Sequence, residues 1–496
     1  LSYLLAIDQG TTSTRSLLFD ASGRLIATAQ RELAQSYPQP GWVEHDPRMI
    51  WQDVLETARD VMAKADAPVA AIGIANQRET AIVWERATGA PIYPAIVWQD
   101  RRTAAECERL RQEGSEGLVR ARTGLLLDPY FSATKLAWIL DHVEGARARA
   151  QRGELAFGTV DSFLLWHLTQ GFVHATDAAN ASRTMLFDIH RQCWDEDLLQ
   201  LFQIPRALLP DVHDNSFHFG LTAKGLFDTQ IPVAGMAGDQ HAALIGQACF
   251  EAGMAKATYG TGCFILLNTG QEAPPPEKGL LTTMAYRASG RRAYAVEGSI
   301  FVAGAAIKWL RDRLGLIKDV SQTSAVAAGL SGNGGVYLVP AFAGLGAPHW
   351  DPNARGLVCG LTLDSGPAHF VRAALESAAY QTLDLMEAIG AGTGPARTLR
   401  IDGGMAVNDW FCQFLAGILA VPVERPANLE ATAQGAAYLA GLTVGIFADL
   451  SSIAAAWVPG ARFEPRMDAA ERERLIAGWR DAVERALTHG RNAVWR

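Results

Sequence analysis

The stretch that most restricts how this chain can fold lies near its start, "LLAIDQGTTSTRSLLFDASGRLIATA", residues 4–29. Three apolar runs, LLAID, RSLLFD and LIATA, are separated by the polar, glycine-containing segments QGTTST and ASGR, a pattern that predicts an antiparallel meander. In the first turn, successive backbone N–H groups and the hydroxyls of Thr11, Thr12, Ser13 and Thr14 can surround anionic oxygens. Gly10 lets the backbone approach closely and Arg15 adds a cation. Taken alone, the same stretch also reads as a hairpin whose polar residues face water. Two observations favour the anion. Asp8 ends the buried strand against the turn, where a carboxylate beside phosphate needs an intervening magnesium ion. The device also recurs at residues 254–270, "MAKATYGTGCFILLNTG", with Gly260, Thr261 and Gly262 in the turn. Two such turns facing each other across a cleft would clamp a nucleotide.

The recurrence implies two similar halves, and 496 residues are too many for one typical core. We expect one domain over residues 1–248, holding the first turn and a substrate site, and another over 249–496, holding the nucleotide site. The segment 46–65 predicts a helix, with Asp46 as cap, Pro47 in the first turn, and Ile50, Val54, Ala58, Val61 and Ala65 on one face. "VAAIGIANQRETAIVW" predicts a strand that stops on a polar knot. A proline-rich loop, 273–278, follows the second meander. Later, "TLRIDGGMAVNDWFCQFLAGILAVPVERP" reads as strand, glycine turn, helix and strand. Strands interspersed with helices throughout give an α/β layered class.

Other chemistries are disfavoured. A net charge of −8, spread along the chain, argues against nucleic acid as a partner. There is no GxxxxGK[ST] and no GxGxxG after a strand, so the phosphate logic is neither that of a P-loop nor that of a dinucleotide fold. The six cysteines are widely spaced, with no CxxC and no zinc spacing, as expected of free thiols in the cytoplasm. No apolar run approaches spanning length, so no membrane insertion is expected, and no targeting segment is seen before the first strand. Asp239, in "GMAGDQHAAL", follows a short strand and precedes a helix. It can cap that helix or act as a general base.

Two further segments, "YFSATKLAW" (residues 130–138) and "GLVCGLTLDSGPAHFVRAALE" (residues 356–376), together with the paired turns, resemble the FGGY carbohydrate kinases from end to end. The resemblance implies two actin-like, ribonuclease H-like ATPase domains with mixed sheets flanked by helices and a ligand cleft between them. Within the family, "GIANQRET", "VWQDRRT", "DPYFSATK", "AGDQHAAL" and "YGTGCF" resemble the branch that phosphorylates glycerol. That branch implies ATP and Mg2+ as cofactors and a homodimer or homotetramer as the assembly. By resemblance, Arg78, Glu79, Tyr130, Asp239 and Gln240 hydrogen-bond the polyol, and Trp98 and Phe264 pack on its carbons. Asp239 is the general base, and Asp8 and Asp239 serve the metal. Thr11, Thr12, Ser13, Arg15, Thr261, Gly304, Lys308, Gly404 and Asn408 contact the nucleotide.

The residue types suit a triol, which needs donors and acceptors on one wall and aromatic faces on the other. Each has a second reading: a surface ion pair for Arg78 and Glu79, core packing for Trp98 and Phe264, a hydroxyl-anchored interface residue for Tyr130, and loop formation for the glycines. Lys308 stands where that branch usually has glutamine, so its role stays open. Gln230 stands where enteric members place an arginine that binds fructose 1,6-bisphosphate, so insensitivity to that inhibitor is expected. A pentulose kinase, or a non-catalytic actin-like protein, are the competing functions.

Overall fold

The opening meander forms as its alternation predicts: β1 (Tyr3–Gln9), β2 (Ser13–Asp20) and β3 (Leu25–Glu32) run antiparallel in the computed structural model, which describes residues 2–275 and 279–489. The final part of the proline-rich loop, 276–278, lies outside the described residues. β1 is buried along its whole length because both of its faces are covered. Leu5 and Ile7 pack with Ile50, Val54 and Ala58 of α1 (Pro47–Met62), while Leu4 and Ala6 pack with alanines of a helix from the far end of the chain. Asp46 caps α1, its side chain accepting from the N–H of Arg48 at 2.9 Å. The helix stops at Met62, short of the expected Ala65. Lys64 and Ala65 donate three residues back, to Val61 and Met62, in the tighter closure common at helix ends.

The polar knot divides its run in two. β4 (Val69–Asn76) ends before it, and a short strand, Ile82–Glu85, begins after it. β4 lies parallel to β1 on one side and to β6 (Pro232–Gly238) on the other, and β5 (Ser216–Leu221) closes the sheet in the order β5-β6-β4-β1-β2-β3. α2 (Ser132–His142) packs with Val83 of that short strand, and α3 (Asp239–Gly246) follows β6 directly.

The second half repeats the plan. β7 (Met254–Tyr259) and β8 (Cys263–Gly270) form the hairpin, β9 (Leu281–Ala288) and β10 (Arg291–Ile300) extend it, and α4 (Gly304–Asp312) follows. β11 (Thr398–Asp402) runs parallel to β7 as β4 does to β1. After α5 (Asp409–Leu419), β12 (Val423–Pro426), α6 (Ala431–Thr443) and β13 (Pro459–Phe463) complete the order β9-β10-β8-β7-β11-β12-β13.

The halves are locked by close helix contact. α6 lies across the first sheet and against α3, and its approach is set by glycines. A Cβ on Gly435 would sit 1.8 Å from the Ala242 carbonyl oxygen, and one on Gly246 would sit 1.9 Å from that of Ala431. Gly73 of β4 faces the Ala436 carbonyl in the same way, at 2.0 Å. Among the described residues, no helix is long and apolar enough to cross a membrane, and all six cysteines are free.

Candidate active site

In a parallel sheet, ligands collect where the strands end. Asp8 of β1 and Ala237 of β6 both pair with Ala75 of β4, so Asp8 and Asp239, two residues after Ala237, leave the same edge of the same sheet. Between them the knot is laced to the first turn. The Gln77 N–H donates to the Gln9 carbonyl at 2.7 Å, and its side-chain amide donates to Gln9 Oε1 at 2.9 Å. Glu79 takes a left-handed conformation at φ +61°, held by the Ser132 hydroxyl, which donates to its carbonyl at 2.9 Å. A non-glycine residue accepts that strain only where its surroundings enforce it. Here the kink accompanies the inward burial of two consecutive charged side chains.

Arg78 is 3% exposed and Glu79 1%, which removes the surface ion-pair reading. Arg78 Nε lies 3.3 Å from Asp239 Oδ1, and its Nη2 donates to the Tyr130 hydroxyl at 3.4 Å. Glu79 accepts from Arg183 Nε at 2.7 Å. The Asp239 side chain keeps 31% of its surface open and accepts from the Gln240 N–H at 2.7 Å. It is thus the first residue of α3 and part of the cluster, while Gly238 stands at the cap position. Burial raises its pKa above the ordinary carboxylate value, although Arg78 and Lys256 pull the other way. The Gln240 amide oxygen accepts from the buried Lys256 ammonium. Lysine has only donors to offer, so this bond turns the Gln240 NH2 away and leaves it available as a donor.

Three half-buried rings adjoin the cluster. Trp98 meets Tyr130 edge to face at 5.5 Å and Phe264 at 6.4 Å, and Arg78 lies 5.8 Å from the Phe264 centroid. Trp98 also joins this group to the first turn, its Nε1 donating to Thr11 Oγ1 at 2.9 Å. Polar groups and aromatic faces side by side suit a small polyol.

Both turns are closed by the N–H of their first glycine, but the second is one residue shorter. The Gly10 N–H donates to the Ser13 carbonyl at 2.9 Å, and the Gly260 N–H to the Gly262 carbonyl at 2.9 Å. Thr12 and Thr261 are exposed at the tips, and Ser13 is half-buried. Arg15 bridges the Asp8 carboxylate and Glu430, with 2.5 Å to the latter. Gly304 opens α4 with its N–H on the Gly260 carbonyl, and a Cβ there would sit 2.5 Å from that oxygen. The protein's own backbone therefore accounts for that glycine. Gly404 has open space where a Cβ would be, which leaves room for a ligand. Asn408 caps α5 through Phe411 N at 3.0 Å and donates to Thr323 at 3.1 Å. Lys308 is exposed on α4.

Sequence reasoning missed Arg183, Lys256 and Glu297, all buried beside the cluster. The signal was available for two of them: each is a lone charge inside an apolar strand, Lys256 in "MAKATY" and Glu297 in "AYAVEGSI".

The model of the FGGY family of carbohydrate kinases, N-terminal domain, matches residues 3–246, and that of the C-terminal domain matches 255–444. The chain belongs to the FGGY family of carbohydrate kinases. Among this FGGY kinase's relatives, a glycerol kinase from Gluconobacter oxydans is 61% identical, covering 98% of this chain and 95% of its own length. One from Rhodospirillum centenum is 58% identical over 97% of each. The structure of Plasmodium falciparum glycerol kinase with ADP superimposes with a TM-score of 0.93 at 36% identity, covering 98% of both chains. A ligand-bound xylulose kinase from Lactobacillus acidophilus, at 22% identity and TM-score 0.89, shares the fold.

In this FGGY kinase the exposed Gln230 is tied within its own loop, donating to the Thr222 carbonyl at 2.9 Å. A bisphosphate needs cationic donors, which this side chain lacks. Millimolar fructose 1,6-bisphosphate is expected to leave turnover unchanged in an activity assay; strong inhibition would refute the assignment of that loop.

Proposed function

We propose that the chain transfers the γ-phosphoryl group of ATP to a primary hydroxyl of glycerol, giving sn-glycerol 3-phosphate and ADP. The observation that carries the reading is the cluster of buried Arg78 and Glu79 with the part-exposed Asp239, set beside Trp98, Tyr130 and Phe264 and the first phosphate turn. The names of relatives at 56–61% identity, and the ADP in the Plasmodium structure, support it.

In this reading Arg78, Glu79, Tyr130 and Gln240 hold the hydroxyls while the rings exclude water from the carbons. Asp239 orients the attacking hydroxyl and receives its proton as the new oxygen–phosphorus bond forms and the bond from the γ-phosphorus to the bridging oxygen breaks. Phosphoryl transfer depends mostly on positioning and charge stabilisation, so Asp239 acts by orienting the hydroxyl as well as by accepting its proton. The N–H groups and hydroxyls of residues 10–13 and 260–262 cradle the phosphates, with the first domain spanning 1–248 and the second 249–496.

Two carboxylates, Asp8 and Asp239, leave one sheet edge, and such hard oxygen donors fit Mg2+, which takes one or two carboxylates together with phosphate oxygens and waters. Bound there, the ion would neutralise charge on the phosphate oxygens. Asp8→Asn is accordingly expected to raise the magnesium concentration needed for half-maximal rate. An unchanged requirement would remove Asp8 from that role.

The function is tested by supplying ATP and magnesium with glycerol or with a ketopentose. Glycerol 3-phosphate is expected. Turnover of the ketopentose alone would reassign the chain to the pentulose kinases, and glycerol binding without turnover would make it a non-catalytic relative.

A further inference from the structure

We infer that Glu297 positions Arg78 for the polyol: its carboxylate, brought from the second sheet, occupies one edge of the guanidinium and so fixes which donors face the substrate. The inference rests on the proposed role of Arg78 and concerns how that role is maintained.

Glu297 lies mid-strand in β10, paired with Leu266 and Leu281, in a run that is otherwise apolar. It is 1% exposed. A buried carboxylate at such a place is costly unless it is paired and hydrogen-bonded. Its partners are Arg78, which donates through Nη1 to one oxygen and through Nη2 to the other at 3.0 Å, and Arg183, which donates to that second oxygen at 2.9 Å. Burial alone would push the Glu297 carboxyl up, but Arg183 and Arg78 override it and hold it down at about 2, so the group is an anion at any working pH.

Two guanidiniums, Arg78 and Arg183, thus meet two carboxylates, Glu79 and Glu297, with side chains no more than 2% exposed. A fork held on both arms by one carboxylate has its plane and its rotation fixed. What remains of Arg78 is Nε, toward Asp239 at 3.3 Å, and the free side of Nη2, toward Tyr130 at 3.4 Å. Without Glu297, the nearest carboxylates to Arg78 are Asp239 at 3.3 Å and Glu79 at 3.9 Å. Arg78 would then occupy the two carboxylates that the hydroxyls of the polyol need. Because Glu297 belongs to the second sheet and Arg78 lies just beyond a strand end of the first, the contact also carries the relative placement of the halves into the substrate pocket.

A residue that only balanced charge would be replaceable by removing one cation along with it. The test therefore compares Arg183→Gln/Glu297→Gln, which keeps the cluster neutral, with Glu297→Gln alone and with Arg78→Ala. Folding is followed by thermal melting, glycerol binding by calorimetry without nucleotide, and the KM for ATP by activity. The expected result is a folded double variant whose glycerol Kd is raised roughly 10- to 100-fold, as misplacement of a positioning group costs, while its KM for ATP stays near that of the parent. A folded double variant with the parent's glycerol Kd, beside an Arg78→Ala that has lost binding, would overturn the role of Glu297 alone. An Arg78→Ala that binds glycerol normally would overturn the polyol reading and this inference with it.

Discussion

Replacing Asp239 by asparagine is expected to lower kcat by about 10²- to 10⁴-fold, the span for losing a positioned general base, while ATP binding measured by calorimetry is unchanged. The substitution preserves shape: asparagine keeps an oxygen that can accept from the Gln240 N–H, now at 2.7 Å, and stays beside Arg78 Nε, now at 3.3 Å. What disappears is the negative charge and the site for the proton. The pH dependence follows the same logic. Burial, opposed by Arg78 and Lys256, places the Asp239 pKa above its ordinary 3.8. The carboxylate form is the active one, so kcat/KM falls as pH drops through that raised value, above the usual carboxylate range, and this acidic limb vanishes in the asparagine variant. A kcat within a few-fold of the parent, against the loss expected of a missing base, would remove Asp239 from the role.

The second large effect is on the fold, and it reaches the site through α3. Gly435→Ala puts a methyl carbon where only 1.8 Å separates it from the Ala242 carbonyl oxygen, with the Gly246 nitrogen at 2.8 Å. Backbone atoms cannot rotate aside as a flexible side chain would, so α3 and α6 must separate. Overpacking of this kind costs about 1–3 kcal/mol or more. α3 begins with Asp239 and Gln240, so its displacement is expected to lower both the melting temperature and the affinity for glycerol. Gly404→Ala is the control. Its methyl group meets no protein atom within 4 Å, so the melting temperature should stay at the parent value, and any change should fall on ATP binding. A Gly435→Ala variant that melts with the parent would refute the interlocked glycines as the joint between the halves.

What the sequence made legible follows physical range. The two meanders could be read because period-two alternation and glycine turns are local signals, and the helix after Asp46 because cap, proline and apolar face coincide. Its end was misplaced because Lys64 and Ala65 continue the pattern while the backbone has already tightened. Asp8 could be chosen because it ends a buried strand against a glycine turn, whereas Arg78, Glu79 and Asp239 were singled out by the family resemblance. Arg183 and Glu297 could not be placed, since nothing local says that residues 78, 183 and 297 meet. Gly304 was expected to contact the nucleotide; the Gly260 carbonyl independently excludes a Cβ there, a constraint visible only once α4 is docked on the second turn. Lys256 and Glu297 leave a general lesson: a single charge inside an apolar strand of a buried sheet points to a partner that the sequence does not name.

The most direct measurement is a crystal structure of the chain with ADP and glycerol bound together. A primary hydroxyl of glycerol should lie about 3 Å from the Asp239 carboxylate, within hydrogen-bond reach. The carbons should rest on Trp98 and Phe264, and the terminal phosphate should sit between the turns at residues 10–13 and 260–262. Glycerol bound away from Arg78 and Asp239, or a nucleotide whose phosphates touch neither turn, would contradict the account.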